Sequence, residues 1–180
     1  MKVISKKTVF ASQRFNINED IVAHGNGMQK TYLYVDKPNA VMVVLRYNNK
    51  VGMIKSERYL LGGCFFELLG GRIEANETSV EAAIREVKEE CGLNLSDHNL
   101  AFLLSTYSLP GITNEKVDVY VADIGDINSR KLQEEELITE FVFFDRGEIC
   151  KMLKNGEIPS CTDAYALAYF LLFSSNGGAL

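Results

Sequence analysis

The chain has 180 residues, of which 47% are hydrophobic and 24% are charged, with a formal net charge of -5 at pH 7 and a pI of about 5.2. This size and balance predict one soluble globular domain with a sizeable core. The negative charge excludes a nucleic-acid polymer as the main partner, since that partner usually needs a basic patch. A small anionic substrate is not excluded, because a bound metal ion can reverse the local field.

No stretch of the sequence has the composition of a membrane span or a signal peptide. The first ten residues lack an apolar core. The longest apolar run, residues 164–173, is well short of the roughly 20 residues that cross a bilayer. We interpret that run as a buried terminal helix with Thr162 or Asp163 as its N-cap. The four cysteines are widely spaced and form no CxxC pair, which is typical of reduced thiols in a cytoplasmic protein.

The first third of the chain has a β-strand pattern. Residues 31–36 and 40–47 are rich in β-branched and aromatic side chains, and the turn signals AHGNGM and KPNA separate them from their neighbours. Asn48 and Asn49 predict the turn of a hairpin. A further strand is expected through CFFELL, as far as Gly70 and Gly71.

A helix follows, and strands then resume. Apolar residues recur at helical spacing, at Val80, Ile84, Val87 and Cys91. Thr78 and Glu81 predict a capping box at the start of this helix, and Gly92 predicts its end. Strands are predicted at residues 100–107, 117–124 and 139–145, and the segment GEICKMLKNG predicts a short helix before the terminal one. This order of elements fits a mixed sheet flanked by helices.

Three glutamates of the predicted helix lie on one strip. With about 100° per residue, Glu90 lies about 40° to one side of Glu86 and Glu89 about 60° to the other. Arg85 is one turn from both Glu81 and Glu89 and is placed to hold a carboxylate. A solvated, salt-bridged face is the ordinary explanation for a charged helix, but this strip is almost all of one sign and glycines bracket it. Clusters of oxygen ligands suit hard divalent ions such as Mg²⁺ or Mn²⁺.

The segment GRIEANETSVEAAIREVKEECGL, from Gly71 to Leu93, fills every position of the Nudix box. In this motif a glycine, five residues, a glutamate and seven residues precede REUxEExGU, where U is aliphatic. On this motif the chain resembles the Nudix hydrolase superfamily. The resemblance implies an α/β (α+β) fold in which a mixed β-sheet is sandwiched between helices. It also implies an N-terminal antiparallel β extension at residues 1–38, which relatives exchange across a homodimer, and a Nudix hydrolase domain at residues 39–180.

The resemblance implies roles for the acidic strip. The main metal ligands and catalytic glutamates are expected to be Glu86, Glu89 and Glu90. Glu77 is expected to support this cluster, Arg85 to orient the glutamates, and Gly70 to offer a backbone carbonyl to the metal. Metal ions offset the charge of a diphosphate and lower the pKa of a bound water. A glutamate outside the cluster is then expected to take the proton of that water.

The residues that flank the box indicate the substrate class. The segment SLPGITNE resembles the ADP-ribose pyrophosphatase subgroup, which has a proline at this distance and then a loop with a glutamate. Pro110 and Gly111 are therefore expected to bind substrate, and Glu115 to be a general base or a further metal ligand. The alternative for Glu115 is a solvated residue in an ordinary turn. The segments FFELLGGRIE and IKSERY resemble the subgroup at Glu67 and Arg58, which are expected to bind substrate.

The leading expectation is hydrolysis of a nucleoside diphosphate sugar, with ADP-ribose cleaved to AMP and ribose 5-phosphate. The chain departs from the subgroup at Leu69 and Gly70, where proline and alanine are usual. The alternatives are another nucleotide sugar such as GDP-mannose, a damaged nucleoside triphosphate, and a non-catalytic role as a nucleotide-sugar sensor. Three aromatic side chains of the N-terminal strands are candidates either to stack on a base or to pack within the sheet: Phe15, Tyr32 and Tyr34.

Overall fold

The structure is a computed structural model in which residues 1–127 and 137–174 are described. The chain divides into two compact units. The first contains Met1–Asn39 and Tyr107–Lys116, and the second contains Ala40–Thr106 and Val117–Leu180. Within the described residues, no helix is long and apolar enough to cross a membrane.

The first unit is built on an antiparallel sheet of three strands. These are β1 (Lys2–Ala11), β2 (Asn16–Ala23) and β3 (Gln29–Asp36), in that order across the sheet. β2 and β3 pair in an unbroken register, whereas the register between β1 and β2 shifts twice. Every residue of β1 is exposed. The N-terminal antiparallel sheet that the family resemblance implies is confirmed.

In the residues that the structure describes, the second unit is built on a mixed sheet of seven strands. They are β4 (Ala40–Tyr47), β5 (Lys50–Arg58), β6 (Gly63–Glu67), β7 (Leu69–Arg72), β8 (Leu100–Tyr107), β9 (Lys116–Asp123) and β10 (Ile138–Phe144). The order across the sheet is β10-β5-β4-β9-β8, with β6 paired to β5 and β7 paired to β4. β4 runs parallel to β9 and antiparallel to β5 and β7.

Helices cover both faces of this sheet. They are α1 (Ser79–Cys91), α2 (Arg146–Asn155) and α3 (Cys161–Phe173). Successive side chains of β4 alternate between two cores: Val43 and Leu45 pack with α1, whereas Val44 packs with α2 and α3. Because neighbouring side chains of a strand point to opposite faces, the sheet lies between two helical layers. The predicted α/β fold, with a mixed sheet sandwiched between helices, is confirmed.

The caps of α1 agree with the prediction. The Thr78 side chain accepts a hydrogen bond from the Glu81 N–H, and the Glu81 side chain accepts one from the Thr78 N–H. Gly92 ends the helix with a φ of 74°, a left-handed value that glycine adopts without strain. Of the two carboxylates one turn from Arg85, Glu81 takes part in the helix cap, and Arg85 therefore pairs with Glu89.

The buried face of α1 differs from the prediction. Val80 and Ile84 are half-buried, whereas the apolar residues that fill the core are Ala82, Ala83, Val87 and Cys91. Small side chains allow a helix to pack close to its neighbour. The close approach of α1 to the sheet lets the long side chains of two glutamates reach β7, as the site geometry shows.

The segment CFFELL, predicted to form one strand, instead contributes to two strands. β6 ends at Glu67 and β7 begins at Leu69, because β6 pairs with β5 while β7 pairs with β4. The predicted hairpin between β4 and β5 is confirmed. Asn48 and Asn49 have φ values of 49° and 61°, the positive values that a two-residue hairpin turn requires and that asparagine tolerates.

The start of α3 was predicted wrongly. Its N-cap is Ser160, whose side chain accepts a hydrogen bond from the Asp163 N–H at 3.4 Å, and not Thr162 or Asp163. Asp163 instead lies in the first turn, where its carboxylate is buried. The helix is also not buried throughout, because two residues of its last turn are exposed, Leu172 and Phe173.

Candidate active site

The first glycine of the motif, Gly71, and the preceding Gly70 lie in β7, against the acidic residues of α1. Gly70 and Gly71 pair with residues of β4. The Gly70 N–H donates a hydrogen bond to Glu90 Oε2 at 2.8 Å. A Cβ atom at Gly71 would lie 2.4 Å from Glu86 Oε1, so glycine is the residue that leaves room for this carboxylate. β7 therefore sets the positions of two glutamate side chains.

The acidic strip is not the solvated face that charged helices usually present. Glu86 is 7% exposed and Glu90 is 5% exposed, while the side chain of Glu89 is 41% exposed. Buried carboxylates are stable only where donors or cations compensate the loss of water. The structure supplies such compensation at the glycine N–H and at one arginine.

Arg85 is hydrogen-bonded to three of the glutamates. Its Nε and Nη2 donate to the two oxygens of Glu77 at 2.8 and 3.0 Å. Its Nη1 donates to Glu86 Oε1 and to Glu89 Oε2, both at 2.8 Å. Its Nη2 also donates to the carbonyl of Arg72 at 2.9 Å. The hydrogen bond with Arg85 holds the pKa of Glu77 below its ordinary value, and the Glu77 carboxylate in turn raises the pKa of Arg85.

The donor set fits a hard divalent cation. Three carboxylates lie around the Arg85 guanidinium, those of Glu77, Glu86 and Glu89, and the carboxylate of Glu90 accepts a hydrogen bond from the Gly70 N–H. Carboxylate and carbonyl oxygens are the ligands that Mg²⁺ and Mn²⁺ prefer. In the part of the chain that the structure describes, no three acidic, histidine or cysteine side chains already converge on one point. An ion must therefore compete with the hydrogen bonds from Arg85 for the oxygens of Glu77, Glu86 and Glu89.

Gly70 is seen in a different role from the predicted one. The structure places its N–H on Glu90, and its backbone carbonyl as a metal ligand stays a prediction. Its φ of 152° and the approach of a Cβ to within 2.1 Å of the Val41 carbonyl oxygen exclude a larger residue here. This close backbone contact is consistent with glycine at position 70, where the subgroup usually has alanine.

Arg58 and Glu67, both predicted to bind substrate, are paired with each other. Arg58 Nε donates to the two Glu67 oxygens at 2.8 and 3.0 Å, and Arg58 Nη2 donates to Glu67 Oε2 as well. The hydrogen bond with Glu67 raises the pKa of Arg58. The Arg58 side chain is 53% exposed while that of Glu67 is 10% exposed. Because a guanidinium has five N–H donors, Arg58 keeps donors for a ligand.

Asp163 also contributes to this region, a role that was not predicted from the sequence. Its Oδ1 accepts a hydrogen bond from the Leu68 N–H at 2.7 Å, and burial raises its pKa from 3.8 to about 6. The segment Glu67–Gly70 is thus tied at three points, to Arg58, to Asp163 and to Glu90. An acidic residue directly before the apolar run of α3 was the signal available in the sequence.

The predicted residues after the motif belong to the first unit. Pro110, Gly111 and Glu115 lie in the loop between β8 and β9. Glu115 Oε2 accepts a hydrogen bond from the Ser108 hydroxyl at 2.7 Å, and Glu115 Oε1 lies 2.5 Å from Lys37 Nζ. The Glu115 side chain is 13% exposed. The Glu115 side chain is therefore not solvated, as the alternative expected, although a turn is present between Leu109 and Ile112. Neither partner of Glu115 was predicted.

The same loop and β3 line a cavity of about 360 Å³ within the first unit. Its walls are mostly apolar and include three tyrosines, Tyr32, Tyr34 and Tyr107. Two of the predicted aromatic residues therefore face a space that can hold a ligand. The third, Phe15, instead lies beside Phe10, with 6.0 Å between the ring centroids.

Comparison with known proteins accounts for the motif and its surroundings. A model of the NUDIX domain matches residues 36–160, which is more than half of the chain. The chain belongs to the NUDIX domain family. The ADP-ribose pyrophosphatase of Methanocaldococcus jannaschii is 32% identical over 130 residues, which cover 72% of this chain and 75% of that protein. The ADP-ribose pyrophosphatase of Bacillus subtilis is 27% identical over 174 residues, which cover 95% and 92%.

A solved structure supports the same fold. The crystal structure of an ADP compounds hydrolase superposes with a TM-score of 0.77 at 24% identity, covering 96% of this chain and 92% of that one. The Nudix fold predicted from the box is confirmed. With the complete box and these relatives, the chain is identified as a Nudix pyrophosphohydrolase, an enzyme family that generally uses divalent metal ions.

Proposed function

We propose that this Nudix enzyme hydrolyses the diphosphate bond of ADP-ribose, with Mg²⁺ or Mn²⁺, to AMP and ribose 5-phosphate. The observation that carries the proposal is the pair of buried carboxylates, Glu86 and Glu90, held against the glycines of β7. Buried charges of this kind are paired or coordinate metals. Two relatives named ADP-ribose pyrophosphatase support the choice of substrate.

The residues that would hold the metal are the acidic side chains of the box. We assign Glu86, Glu89 and Glu90 as the main ligands, Glu77 as support and the Gly70 carbonyl as a further donor. A bound divalent ion supplies positive charge against the diphosphate and lowers the pKa of a water bound to it. Arg85 keeps the glutamates oriented, because its planar fork fixes the direction of each hydrogen bond.

Hydrolysis joins the oxygen of one water to a phosphorus atom and breaks the bond from that phosphorus to the bridging oxygen. The bridging oxygen keeps the electron pair and leaves with the other phosphate. We propose Glu115 as the general base that takes the proton of the water, since an ionised carboxylate is suited to this task. The Lys37 ammonium lies 2.5 Å from one oxygen of that carboxylate.

We assign substrate binding to Arg58, Glu67, Pro110 and Gly111. Arg58 has donors for a phosphate oxygen, and Glu67 orients the Arg58 side chain. Pro110 and Gly111 line the cavity of the first unit. We propose that this cavity takes the adenine base, because aromatic walls bind flat rings well.

We further propose that the chain forms a homodimer and acts in the cytoplasm. The proposed division is an N-terminal β extension at residues 1–38 and a Nudix hydrolase domain at residues 39–180. The apolar residues exposed on β1 support the dimer, because a second copy would cover them: Val3, Ile4, Val9 and Phe10. Sedimentation of the purified protein tests it, and a mass of one chain at micromolar concentration would contradict it.

The test of the function is a hydrolysis screen with product identification. Purified enzyme is incubated with ADP-ribose, GDP-mannose, dinucleotides and nucleoside triphosphates, with Mg²⁺ or Mn²⁺ and with EDTA as the metal-free control. We expect ADP-ribose to be the best substrate, to yield AMP and ribose 5-phosphate, and to be stable in EDTA. Release of pyrophosphate from a triphosphate would replace the proposal by a nucleotide-cleansing activity. Tight binding of a nucleotide sugar with no product would indicate a sensor instead.

A further inference from the structure

The loop from Tyr107 to Lys116 is closed on itself at Glu115. The Ser108 N–H donates to the Glu115 carbonyl at 3.2 Å, and the Ser108 hydroxyl donates to the Glu115 carboxylate at 2.7 Å. The Thr113 hydroxyl also accepts a hydrogen bond from the Glu115 N–H at 3.2 Å. The backbone and the side chain of Glu115 are therefore both fixed relative to the loop.

The loop is in turn fastened to the end of β3. The Val35 N–H donates to the Ile112 carbonyl at 2.8 Å. The Lys37 N–H donates to Asn114 Oδ1 at 3.0 Å, and Asn114 Nδ2 donates to Asp36 Oδ1 at 2.6 Å. Three consecutive residues of the N-terminal segment thus hold the loop, which explains why the two form one compact unit.

Lys37 makes one more contact, and it differs from an ordinary surface ion pair. Exposed pairs are worth little, because water screens them and both side chains lose freedom. Here the Glu115 side chain is 13% exposed and already held by Ser108, while Lys37 Nζ lies 2.5 Å from its other oxygen. One of the two partners is therefore ordered before the pair forms, and solvent screens the pair less.

We propose that Lys37 is a positioning residue for Glu115 in the hydrolytic reaction. Lys37 and Ser108 each occupy one carboxylate oxygen, and each oxygen keeps a lone pair that can accept the proton of water. The ammonium holds the carboxylate in one orientation. This inference rests on the proposed function of Glu115 as general base. It gives the N-terminal segment a part in hydrolysis in addition to its proposed part in the dimer.

A double-mutant cycle tests whether Lys37 acts through Glu115. The kcat and KM for ADP-ribose with Mg²⁺ are measured for wild type, Lys37→Met, Glu115→Gln and the double variant. We expect Lys37→Met to lower kcat about tenfold, part of the roughly 10²- to 10⁴-fold that a general base supplies, and to leave KM within about twofold. In the Glu115→Gln background, the same substitution is expected to change kcat by less than about twofold.

Two further variants separate charge from packing. Lys37→Arg keeps the positive charge and is expected to recover at least half of the kcat lost in Lys37→Met. Lys6→Met is the matched control, because it removes a lysine of the same unit that is paired with Asp20 at 3.8 Å, and it is expected to leave kcat unchanged. An undiminished effect of Lys37→Met in the Glu115→Gln background would overturn the proposal, as would a wild-type kcat of Lys37→Met.

Failure of the proposed function would be seen separately, in the wild type. If the wild type prefers another substrate, the cycle is run on that substrate with the same expectations. If it turns over none, amide hydrogen exchange of residues 107–116 decides, with Lys37→Met expected to speed exchange in the loop relative to Lys6→Met. Equal exchange in the two variants would show that Lys37 does not hold Glu115, and would overturn the proposal.

Discussion

The two adjacent glycines of β7 are expected to respond very differently to the addition of one methyl group. In Gly71→Ala the new Cβ would lie 2.4 Å from Oε1 and 2.7 Å from Oε2 of Glu86. In Gly70→Ala it would lie 2.1 Å from the backbone oxygen of Val41. The first clash is with the far end of a flexible side chain, and the second is with a strand of the central sheet.

The size of each effect depends on whether the atoms that the new Cβ approaches can move away. An ordinary carbon–oxygen contact begins near roughly 3.4 Å, so the Glu86 carboxylate must retreat by about 1 Å in Gly71→Ala. A displacement of about 1 Å at a catalytic group costs on the order of 10²-fold in rate, while the fold loses only about 1 kcal/mol. In Gly70→Ala the backbone cannot retreat, and the φ of 152° adds strain. We expect a loss of about 4 kcal/mol or more in unfolding free energy.

The assay compares the two variants with wild type in Mg²⁺-dependent hydrolysis of ADP-ribose and in urea unfolding. Gly71→Ala is expected to keep a near wild-type midpoint and to lose kcat, whereas Gly70→Ala is expected to lose stability. A Gly71→Ala variant with wild-type kcat would refute the placement of Glu86 in the reaction. A Gly70→Ala variant with a wild-type midpoint would refute the close contact between β7 and β4.

Three further predictions concern Asp163, the cysteines and Arg85. Because the folded protein holds the Asp163 proton up to about pH 6 and the unfolded chain releases it near 3.8, stability falls as pH rises through this window. Asp163→Asn should abolish a difference of about 1.4 kcal/mol between unfolding near pH 5 and near pH 7.5. Burial raises the pKa of Cys91 to about 12, so a thiol reagent at neutral pH should modify three of the four cysteines in the native enzyme, Cys64, Cys150 and Cys161. Arg85→Lys keeps the charge but loses the fork, and should lower unfolding free energy by about 2 kcal/mol.

Each of these predictions has a contradicting outcome. Wild type and Asp163→Asn with the same pH dependence would show that the Asp163 carboxylate does not titrate as described. Rapid labelling of a fourth thiol before unfolding would contradict the burial of Cys91. An Arg85→Lys enzyme with wild-type unfolding free energy would show that a point charge suffices for stability and that the hydrogen-bond geometry does not matter to it.

The helix of the Nudix box was predictable because its signals are local. Thr78, Glu81 and Gly92 act within one turn of each end of α1, and the structure places them as the sequence predicts. The buried face was less predictable, since Glu86 and Glu90 are accommodated by glycines of β7, up to 20 residues earlier in the chain. The sequence of α1 alone could not show that the carboxylates of Glu86 and Glu90 lie against β7.

Residues that act across long separations account for what sequence reasoning missed. Asp163 is buried because it accepts a hydrogen bond from Leu68, 95 residues away. Lys37 reaches Glu115 only because β3 and the loop after β8 form one unit. The division of the CFFELL strand at Leu68 likewise depends on pairing with two different strands. None of these contacts has a local pattern that would reveal it.

The central claim, that the carboxylates of the box hold the ion on which hydrolysis depends, is tested most directly at Glu90. Wild type and Glu90→Gln are compared for release of AMP from ADP-ribose over a range of Mg²⁺ concentrations, with unfolding measured in parallel. We expect the substitution, which removes one charge and keeps the size of the side chain, to lower kcat by about 10²-fold or more while the protein stays folded. Turnover and Mg²⁺ dependence like those of the wild type in Glu90→Gln would contradict the claim.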